Sequence, residues 1–488
     1  MSEYSWSKFG FSLMAFTLSA LAFGTCNLAA AGEHSFSEYV YQYKLLVKKG
    51  KLAKALVVAE SSLDIARSDY PALSSQHATA LSKLGHAHRS LGRFKEAEAS
   101  IVQSLVIRKQ LVGETHPDYG ESLSDLAAVY YELGQHADSE AVAEKARRAL
   151  ENTQGTARTE LASVLEFQAF LRILRMDYVN AQSLLNRARD ILNQSADKNS
   201  LHFAKLSEYT SLLHFCQNEF RQADRWISKA LETRSRVLGK NHPLTVSTVM
   251  KRAVVNFNMG RYEQAEAELK RVLAVQELTL GSSHPDMVQT LSHLGKLYLR
   301  TKRPRECIVQ LSRALEIGQK CLGKQHPRVG VLLCYLGGAQ LITHEFAKSE
   351  AHLREAISIF EGRPPLLTTD LALAYANLAE ACAEQGKLKE AVPFHGNAVK
   401  RHEEAHGKEH PAVATALCNW ADTCQKQGNV TEAKKLLERA LAIREKAFGI
   451  YHQEAMETMI KIVTLEDQSS KRPAAQVPAD AVGRKRTH

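Results

Sequence analysis

The strongest constraint on the fold is a repeat of 42 residues that runs through most of the chain. The motif Gly-x-x-His-Pro occurs five times, and its histidines are separated by 42 residues or by multiples of 42. They are His116, His242, His284, His326 and His410. A column of small residues (Ala, Ser or Cys) from Ala55 to Ala433 keeps the same register without insertion or deletion. Self-similarity at a fixed period of this length predicts a repeat architecture.

Each 42-residue unit predicts two amphipathic helices. In the second unit Leu81, Leu84 and His88 recur at helical spacing, Gly92 follows, and a second apolar pattern begins at Phe94. The glycine of Gly-x-x-His-Pro predicts a left-handed residue just beyond a helix end, and the proline suits the first turn of the next helix. A single hairpin of this kind cannot bury its apolar face, so neighbouring units are expected to stack.

These motifs resemble the tetratricopeptide repeat, in its 42-residue kinesin light chain variety. The stretch ALSKLGHAHRSLGRFKEAEASIVQSLVIRKQLVGETHP carries the resemblance. It implies an all-α fold, a right-handed superhelical solenoid of about ten helix-turn-helix repeats over residues 32–452. A capping helix at 453–468 is expected to turn Ala455, Met459 and Val463 inwards, and a disordered basic tail is expected at 469–488.

Charge and cysteine content exclude several classes of function. The net charge is +10, but five basic residues of the excess lie in the tail, at Lys471, Arg472 and Arg484–Arg486. The remainder is too dilute for a nucleic-acid-binding face, which needs Lys and Arg concentrated together. The eight cysteines form no Cys-x-x-Cys pair, which excludes a zinc ribbon or a thioredoxin-like motif.

The N-terminal segment predicts export. Residues 9–31 contain no charged side chain, and Ala29–Ala31 before Gly32 fit the small-x-small cleavage pattern of a secretory signal. We therefore expect residues 1–31 to be a signal peptide and the mature protein to be periplasmic or secreted. The alternative is an uncleaved membrane anchor at residues 9–31, which would be the only contact with a membrane.

The resemblance implies a concave groove, lined by the first helix of each unit, that binds extended peptides. In kinesin light chains, asparagines in that helix help to hold the peptide backbone. Here the matching column retains only Asn377 and Asn419. Because no heptad segment precedes the repeats, a kinesin adaptor role is not implied.

The middle repeats depart from the pattern, since Gln168, Thr210 and Arg252 replace the expected core leucine. Two interpretations remain open. Nearby apolar and aromatic residues could line the groove, or the helices could be rotated by one residue so that these side chains return to the core. The groove interpretation names the following binding residues: Phe167, Phe170, Tyr209, Leu212, Phe215, Lys251 and Phe257, together with Asn377 and Asn419.

Catalytic chemistry is not expected. His402–His406 match the His-Glu-x-x-His zinc signature, but Gly407 ends the helix at once, and His406 occupies a column that holds leucine in other units. No P-loop, Gly-x-Gly-x-x-Gly or Gly-x-Ser-x-Gly motif occurs. The sequence therefore predicts no metal, no cofactor and no enzyme. It predicts a scaffold that binds a peptide or protein partner, with a self-assembling structural solenoid as the alternative.

Overall fold

The computed structural model describes residues 35–153, 157–194, 200–361 and 368–470. Those residues form 21 α-helices, and no strand occurs among them. The predicted signal peptide at 1–31 and residues 471–488 of the predicted tail lie outside the described ranges. No helix within these ranges is both long enough and apolar enough to cross a membrane. The predicted all-α solenoid of helix-turn-helix repeats is confirmed.

The chain divides into two compact units, with the boundary in sequence between Thr343 and His344. The helices of the first unit are α1 (Phe36–Lys48), α2 (Leu52–Asp69), α3 (Ser75–Ser90), α4 (Phe94–Val112), α5 (Pro117–Glu132), α6 (His136–Leu150), α7 (Ala157–Leu174), α8 (Tyr178–Gln194), α9 (Ser200–Cys216), α10 (Phe220–Leu238), α11 (Pro243–Asn258), α12 (Tyr262–Leu280), α13 (Asp286–Arg300), α14 (Pro304–Leu322) and α15 (Pro327–Ile342). Those of the second unit are α16 (Phe346–Phe360), α17 (Thr368–Glu384), α18 (Leu388–His406), α19 (Pro411–Lys426), α20 (Val430–Phe448) and α21 (Gln453–Ser470). On α21, Ala455 faces inwards as predicted, but Met459 and Val463 are 47% and 53% exposed and do not.

Odd- and even-numbered helices pack as hairpins, from α1 with α2 to α13 with α14 in the first unit, and α17 with α18 and α19 with α20 in the second. The predicted column of small residues lies at these crossings. Ala97, Ala181, Ala265 and Ala433 are all fully buried. Small side chains allow two helix backbones to approach closely, which explains why the register is kept over so many units.

The Gly-x-x-His-Pro motif caps helices at both of its ends. The ring Nδ1 of His326 accepts a hydrogen bond from the backbone N–H of Arg328 at 3.2 Å, and Pro327 is the first residue of α15. His116, His242, His284 and His410 make the same bond. The preceding glycine has positive φ, as predicted. Its ψ is extended and not left-handed helical, however, with Gly323 at φ 90° and ψ 153°, a region open essentially only to glycine.

The first unit folds back on itself. The turn between α1 and α2 lies against the start of α11, because a Cβ added to Gly50 would meet Pro243 Cδ at 2.8 Å. Gly92 lies in the same way against Pro285, and Gly134 against Pro327. Polar contacts strengthen the third of these junctions. His326 Nε2 lies 2.9 Å from the Glu132 carbonyl oxygen, 194 residues away in sequence, and Arg328 pairs with the Glu132 carboxylate at 2.9 Å.

Buried arginines join consecutive repeats in three places. Arg234 lies at the end of α10 and donates from Nη1 to the Leu244 carbonyl oxygen at 3.1 Å and to Thr248 Oγ1 at 2.9 Å. Arg108 and Arg444 make the equivalent bonds to the carbonyl oxygen ten residues later and to the hydroxyl fourteen residues later. Each guanidinium therefore fastens a second helix to the first helix of the next repeat.

Candidate functional site

A chamber of about 440 Å³ lies inside the first unit, where it folds back on itself. One wall consists of charged side chains of α1, α3, α5 and α7, and the opposite wall includes Leu201, Leu238 and Leu244. The charged residues are Lys44, Lys48, Lys83, Arg89, Glu121, Asp125 and Glu160. We call this space the inner chamber. The contact of Gly50 with His242 and Pro243 lies next to it, since Lys48, His242 and Leu244 are part of its lining.

The ion pairs of the inner chamber are loose and reach solvent. Lys83 Nζ lies 3.4 Å from a Glu121 carboxylate oxygen, and the two side chains are 19% and 35% exposed. Arg89 Nη1 lies 3.6 Å from Asp125 Oδ1. Both distances are longer than an ordinary hydrogen bond, and the side chains keep partial access to water, so each partner can exchange its contact for a ligand group.

A neutral histidine lies among these charges. His86 Nδ1 is 2.7 Å from the hydroxyl of Tyr43, which is buried. Burial, together with the positive charges of Arg89 and Lys83, lowers the pKa of His86 to about 3. The ring is therefore uncharged at neutral pH. Burial, with the nearby Glu121 carboxylate, raises the pKa of Glu160. The inner chamber thus presents both signs of charge, with four cations and three carboxylates in its lining.

Four of the predicted groove residues lie in the hydrophobic core. Phe170, Tyr209, Leu212 and Phe215 are between 2% and 6% exposed. Phe170 packs against Tyr209 and Tyr131, with ring centroids 6.0 Å and 5.0 Å apart. Their burial favours the second of the two interpretations, in which a rotated helix returns these side chains to the core.

Phe167 and Phe257 are half-buried, and each packs beside another ring. Phe167 lies 6.0 Å from Phe170, and Phe257 lies 5.7 Å from Tyr262 at the start of the next helix. The second contact joins the end of one helix to the start of its hairpin partner, as Phe215 and Phe220 also do at 5.3 Å. Phe257 therefore fastens a turn between helices, whereas Phe167 packs on its own helix, and the structure does not bring the two rings together into one continuous aromatic groove.

Lys251 belongs to a buried ionic cluster. Its Nζ lies 2.9 Å from Glu208 Oε2, while Arg234 Nη1 lies 2.7 Å from Glu208 Oε1. Thr248 also donates to this carboxylate at 2.7 Å. Burial opposes the charge of Glu208, but Arg234 and Lys251 outweigh it and hold the pKa of Glu208 below its ordinary value. Lys251 is only 6% exposed, so it neutralises a buried charge and is not at the edge of a groove.

A second buried carboxylate, Glu166 on α7, has the opposite balance. Lys205 lies 3.3 Å away, and Arg234 is also near, but burial dominates and, with the charge of Glu208, raises the pKa of Glu166 to about 7. Between about pH 4.5 and 7 the folded chain therefore binds a proton that the unfolded chain does not. The contribution of Glu166 to stability is largest below this range and is lost as the pH rises through it.

As the pH rises from 4.5 to 8, we expect the parent to lose stability relative to Glu166→Gln, by on the order of 3 kcal/mol in unfolding free energy. Lys205 keeps access to water, so the loss of its partner costs little. Urea denaturation of both proteins at pH 4.5, 6 and 8 measures the difference. A difference that does not change with pH would show that Glu166 titrates normally.

The polar residues predicted near the C-terminal end lie in the second unit. Asn377 is buried, and Asn419 is half-buried. Asp422, one turn beyond Asn419, is paired with Lys461 of α21 at 2.7 Å. The two asparagines thus lie on successive first helices, α17 and α19.

The His-Glu-x-x-His segment lies at the end of α18. The rings of His402, His406 and His410 are stacked, with successive centroids 6.1 Å and 4.6 Å apart. Glu403, which would act as the base in a zinc protease, is paired with Arg439. Burial, with the neighbouring His406, lowers the pKa of His402 to about 4. The stacking of the histidine rings and the ion pair of Glu403 indicate that this segment packs the end of α18 and does not bind zinc.

One group of possible metal ligands occurs among the described residues: Glu350, Cys382 and Glu390. Cations already occupy it. Lys387 Nζ lies 2.7 Å from the Glu350 carboxylate, and Arg354 lies 2.8 Å from Glu350 and 3.3 Å from Glu390. Hydrogen bonds from Lys387, Arg354 and Gln385 lower the pKa of Glu350 to about 2 despite partial burial. Two cations neutralise two carboxylates, so the group serves as an ion-pair network.

The inner chamber was not predicted from the sequence, although the position of part of its lining could have been. Lys83 and Asp125 occupy the same repeat column as Asn377 and Asn419, so their position on a first helix could be predicted. What could not be predicted is the opposite wall. It comes from α9 to α11, and it depends on how far the repeats wind before they meet.

Models of the tetratricopeptide repeat match most of the chain. One matches residues 76–152, 245–308, 290–362, 370–446 and 413–476, and another with the same description matches residues 211–244. No curated protein sequence matches significantly.

Three solved structures illustrate the likeness to repeat proteins. Nearly identical TPR-like repeats from Podosopora anserina, assigned to a kinesin light chain, are 23% identical over 41% of this chain and 95% of that chain, with a TM-score of 0.37. PilW, a type IV pilus biogenesis factor, is 16% identical over 52% and 98%, with a TM-score of 0.39. The apo form of RapI is 12% identical over 72% and 98%, with a TM-score of 0.45.

Proposed function

Because this chain belongs to the tetratricopeptide repeat family, we propose that it is a non-catalytic scaffold that holds a peptide segment of a partner protein in its inner chamber. The proposal rests on the arrangement of the ion pairs inside that chamber. Lys83 with Glu121 and Arg89 with Asp125 are solvent-accessible, loosely spaced ion pairs on successive first helices. Elsewhere in the same unit Glu208 is tightly held by Arg234 and Lys251 and is almost inaccessible.

The chemistry of the inner chamber favours a polar segment over an apolar one. A bound peptide can accept hydrogen bonds from Lys83 and Arg89 through its carbonyl oxygens or carboxylates, and can donate its N–H groups to Glu121 and Asp125. Leu201, Leu238 and Leu244 add an apolar contact. Since the aromatic residues of the middle repeats are largely buried, binding driven by an aromatic groove has little support.

Site-specific photo-crosslinking tests the proposal. A benzophenone amino acid replaces Lys44, which is exposed on α1 and lines the inner chamber. In the control protein it replaces Val309 on α14, which is 62% exposed and lies outside the chamber. We expect a discrete adduct from the Lys44 position only, lost when Lys83→Glu and Arg89→Glu are added. Equal adducts from both positions, or adducts that survive the charge reversals, would contradict binding in the chamber.

We also propose that residues 1–31 direct export and are removed. The uncharged segment before Gly32 supports this proposal. The intact mass of the protein purified from its native host decides the matter. A chain that begins at Gly32 agrees with cleavage, whereas a chain that retains residues 9–31 and sediments with membranes indicates the anchor.

A further inference from the structure

The charges that line the inner chamber are not all paired with one another. Lys83 pairs with Glu121, and Arg89 pairs with Asp125. Glu121 also lies 3.9 Å from Arg108, which is buried outside the lining. These contacts leave three charged groups of the lining to account for, two lysines on α1 and one glutamate on α7.

The two lysines are Lys44 and Lys48, which are exposed and lie one turn apart on the same face of α1. Both line the inner chamber, as do Tyr43 and Val47 of the same helix. Among the described residues, neither ammonium group forms an ion pair with a carboxylate. An acidic group that enters the chamber beside α1 therefore gains a charged partner without displacing an existing one.

The glutamate is Glu160, which is half-buried near the start of α7. No lysine or arginine of the described ranges forms an ion pair with it. Burial, with the carboxylates of Glu121 and Asp125, raises the pKa of Glu160. Lys205 and Lys83 offset this only in part, because each is paired with a different carboxylate. A cation that enters the chamber beside α7 therefore stabilises the ionised form of Glu160.

The unpaired charges lie at opposite ends of a row of helices. The first helices pack side by side in chain order, α1 against α3, α3 against α5 and α5 against α7. Unpaired positive charge lies on the first helix of this row and unpaired negative charge on the last, with the two ion pairs on α3 and α5 between them. The inner chamber is thus electrically polar along the row.

We propose that the segment bound in the inner chamber carries charges of both signs, with an acidic side chain beside Lys44 and Lys48 and a basic side chain beside Glu160. This inference rests on the proposed function, since it specifies the partner's chemistry at the same site. The chamber volume of about 440 Å³ is in the range that holds one small ligand or a few peptide residues. The acidic and the basic side chain are therefore close together in the partner's sequence.

Segments of other composition complement the inner chamber less well. A wholly acidic segment pairs with the lysines of α1 but brings carboxylates towards Glu160, where they are repelled. A wholly basic segment pairs with Glu160 but brings cations towards Lys44 and Lys48. An apolar segment removes water from Glu160 without supplying a partner, which is unfavourable for a charged group. Only a segment with both signs of charge satisfies both ends.

The test uses the full chain and three labelled synthetic peptides of equal length. The dipolar peptide has glutamates at one end and arginines at the other, separated by a short Gly-Ser spacer. In the acidic peptide all charged positions are glutamate, and in the basic peptide all are arginine. Fluorescence anisotropy at physiological ionic strength measures binding. We expect the dipolar peptide to bind at least ten-fold more tightly than either of the others.

Variants of the chain test the two ends separately. Lys44→Glu with Lys48→Glu is expected to weaken binding of the dipolar peptide at least ten-fold. Lys51→Glu with Lys54→Glu is the matched control, because it makes the same change in net charge at exposed residues outside the lining. We expect this control to change binding less than two-fold. Glu160→Gln is expected to weaken the dipolar peptide at least three-fold but not the acidic peptide. Circular dichroism checks that every variant is folded.

Photo-crosslinking tests the direction of the bound peptide. A benzophenone amino acid is placed at the acidic end of the dipolar peptide in one experiment and at its basic end in another. Mass spectrometry of the digested adducts then identifies the labelled helix. We expect the acidic end to label α1 and the basic end to label α7.

Three results would overturn the inference. The first is equal binding of the three peptides. The second is a folded Lys44→Glu, Lys48→Glu variant that binds the dipolar peptide as the parent does. The third is a basic end that labels α1. If no peptide binds although benzophenone at position 44 of the chain captures a partner, this inference fails and the proposed function stands. If no adduct forms either, both fail.

Discussion

Gly92→Ala is expected to destabilise the chain by about 2–4 kcal/mol, whereas Gly260→Ala is expected to cost only about 1 kcal/mol. Both glycines end a first helix with positive φ, 69° and 77°, so an added Cβ strains both backbones to a similar extent. The surroundings differ. A Cβ on Gly92 would overlap the ring of Pro285, but a Cβ on Gly260 meets nothing within 4 Å.

Urea denaturation gives the difference in stability, and hydrogen exchange gives its location. In Gly92→Ala we expect faster amide exchange at the start of α13, the helix that follows Pro285. In Gly260→Ala exchange increases only around its own turn. If both variants lose the same stability and α13 exchanges normally, the first repeats do not contact the later ones.

Arg234→Leu is expected to destabilise the chain by about 3–5 kcal/mol, more than Arg108→Leu. The two arginines occupy the same repeat column, are 2% and 5% exposed, and make equivalent bonds to a carbonyl oxygen and a hydroxyl. Leucine fits this column, because Leu150 and Leu192 are buried there. Only Arg234, however, also neutralises a buried carboxylate, that of Glu208.

The double variant Arg234→Leu, Glu208→Leu isolates that effect. Removing both partners leaves no buried carboxylate short of a cation, but it also takes the carboxylate away from Lys251, which is 6% exposed. We therefore expect the double variant to recover only part of the stability lost in Arg234→Leu. The measurement is the unfolding free energy of the three variants and the parent in urea. Equal losses for Arg234→Leu and Arg108→Leu, with no recovery in the double variant, would show that Glu208 contributes nothing to the difference.

The local structure of this protein could be predicted from sequence because every repeat uses the same residue types at its helix crossings and helix ends. The small column fixes the helix crossings, and the motif around His326 and Pro327 fixes where α15 begins. Ten turns share positive φ whether or not they contain glycine, as Met176 and Lys302 show at 61° and 59°. The repeat register imposes this conformation even where the side chain disfavours it.

The candidate site could not be predicted in the same way. A rotation of α7 and α9 by one residue decides whether Phe170 and Tyr209 face a groove or the core, and helical spacing is compatible with both. The inner chamber depends on contacts between residues such as Glu132 and His326, which are 194 positions apart. Such contacts arise because each repeat is rotated slightly relative to the one before it, and these rotations add up over several repeats. A local sequence pattern does not reveal the total rotation.

The central claim is that the first unit folds back on itself and that the inner chamber lies where it does so. A double-mutant cycle on Glu132 and Arg328 tests it most directly, because their side chains lie 2.9 Å apart and 196 residues apart in sequence. Urea denaturation of Glu132→Ala, Arg328→Ala and the double variant gives the coupling energy. We predict a coupling of about 1–3 kcal/mol, since Glu132 is only 3% exposed. Additive effects of the two substitutions would contradict the closed arrangement.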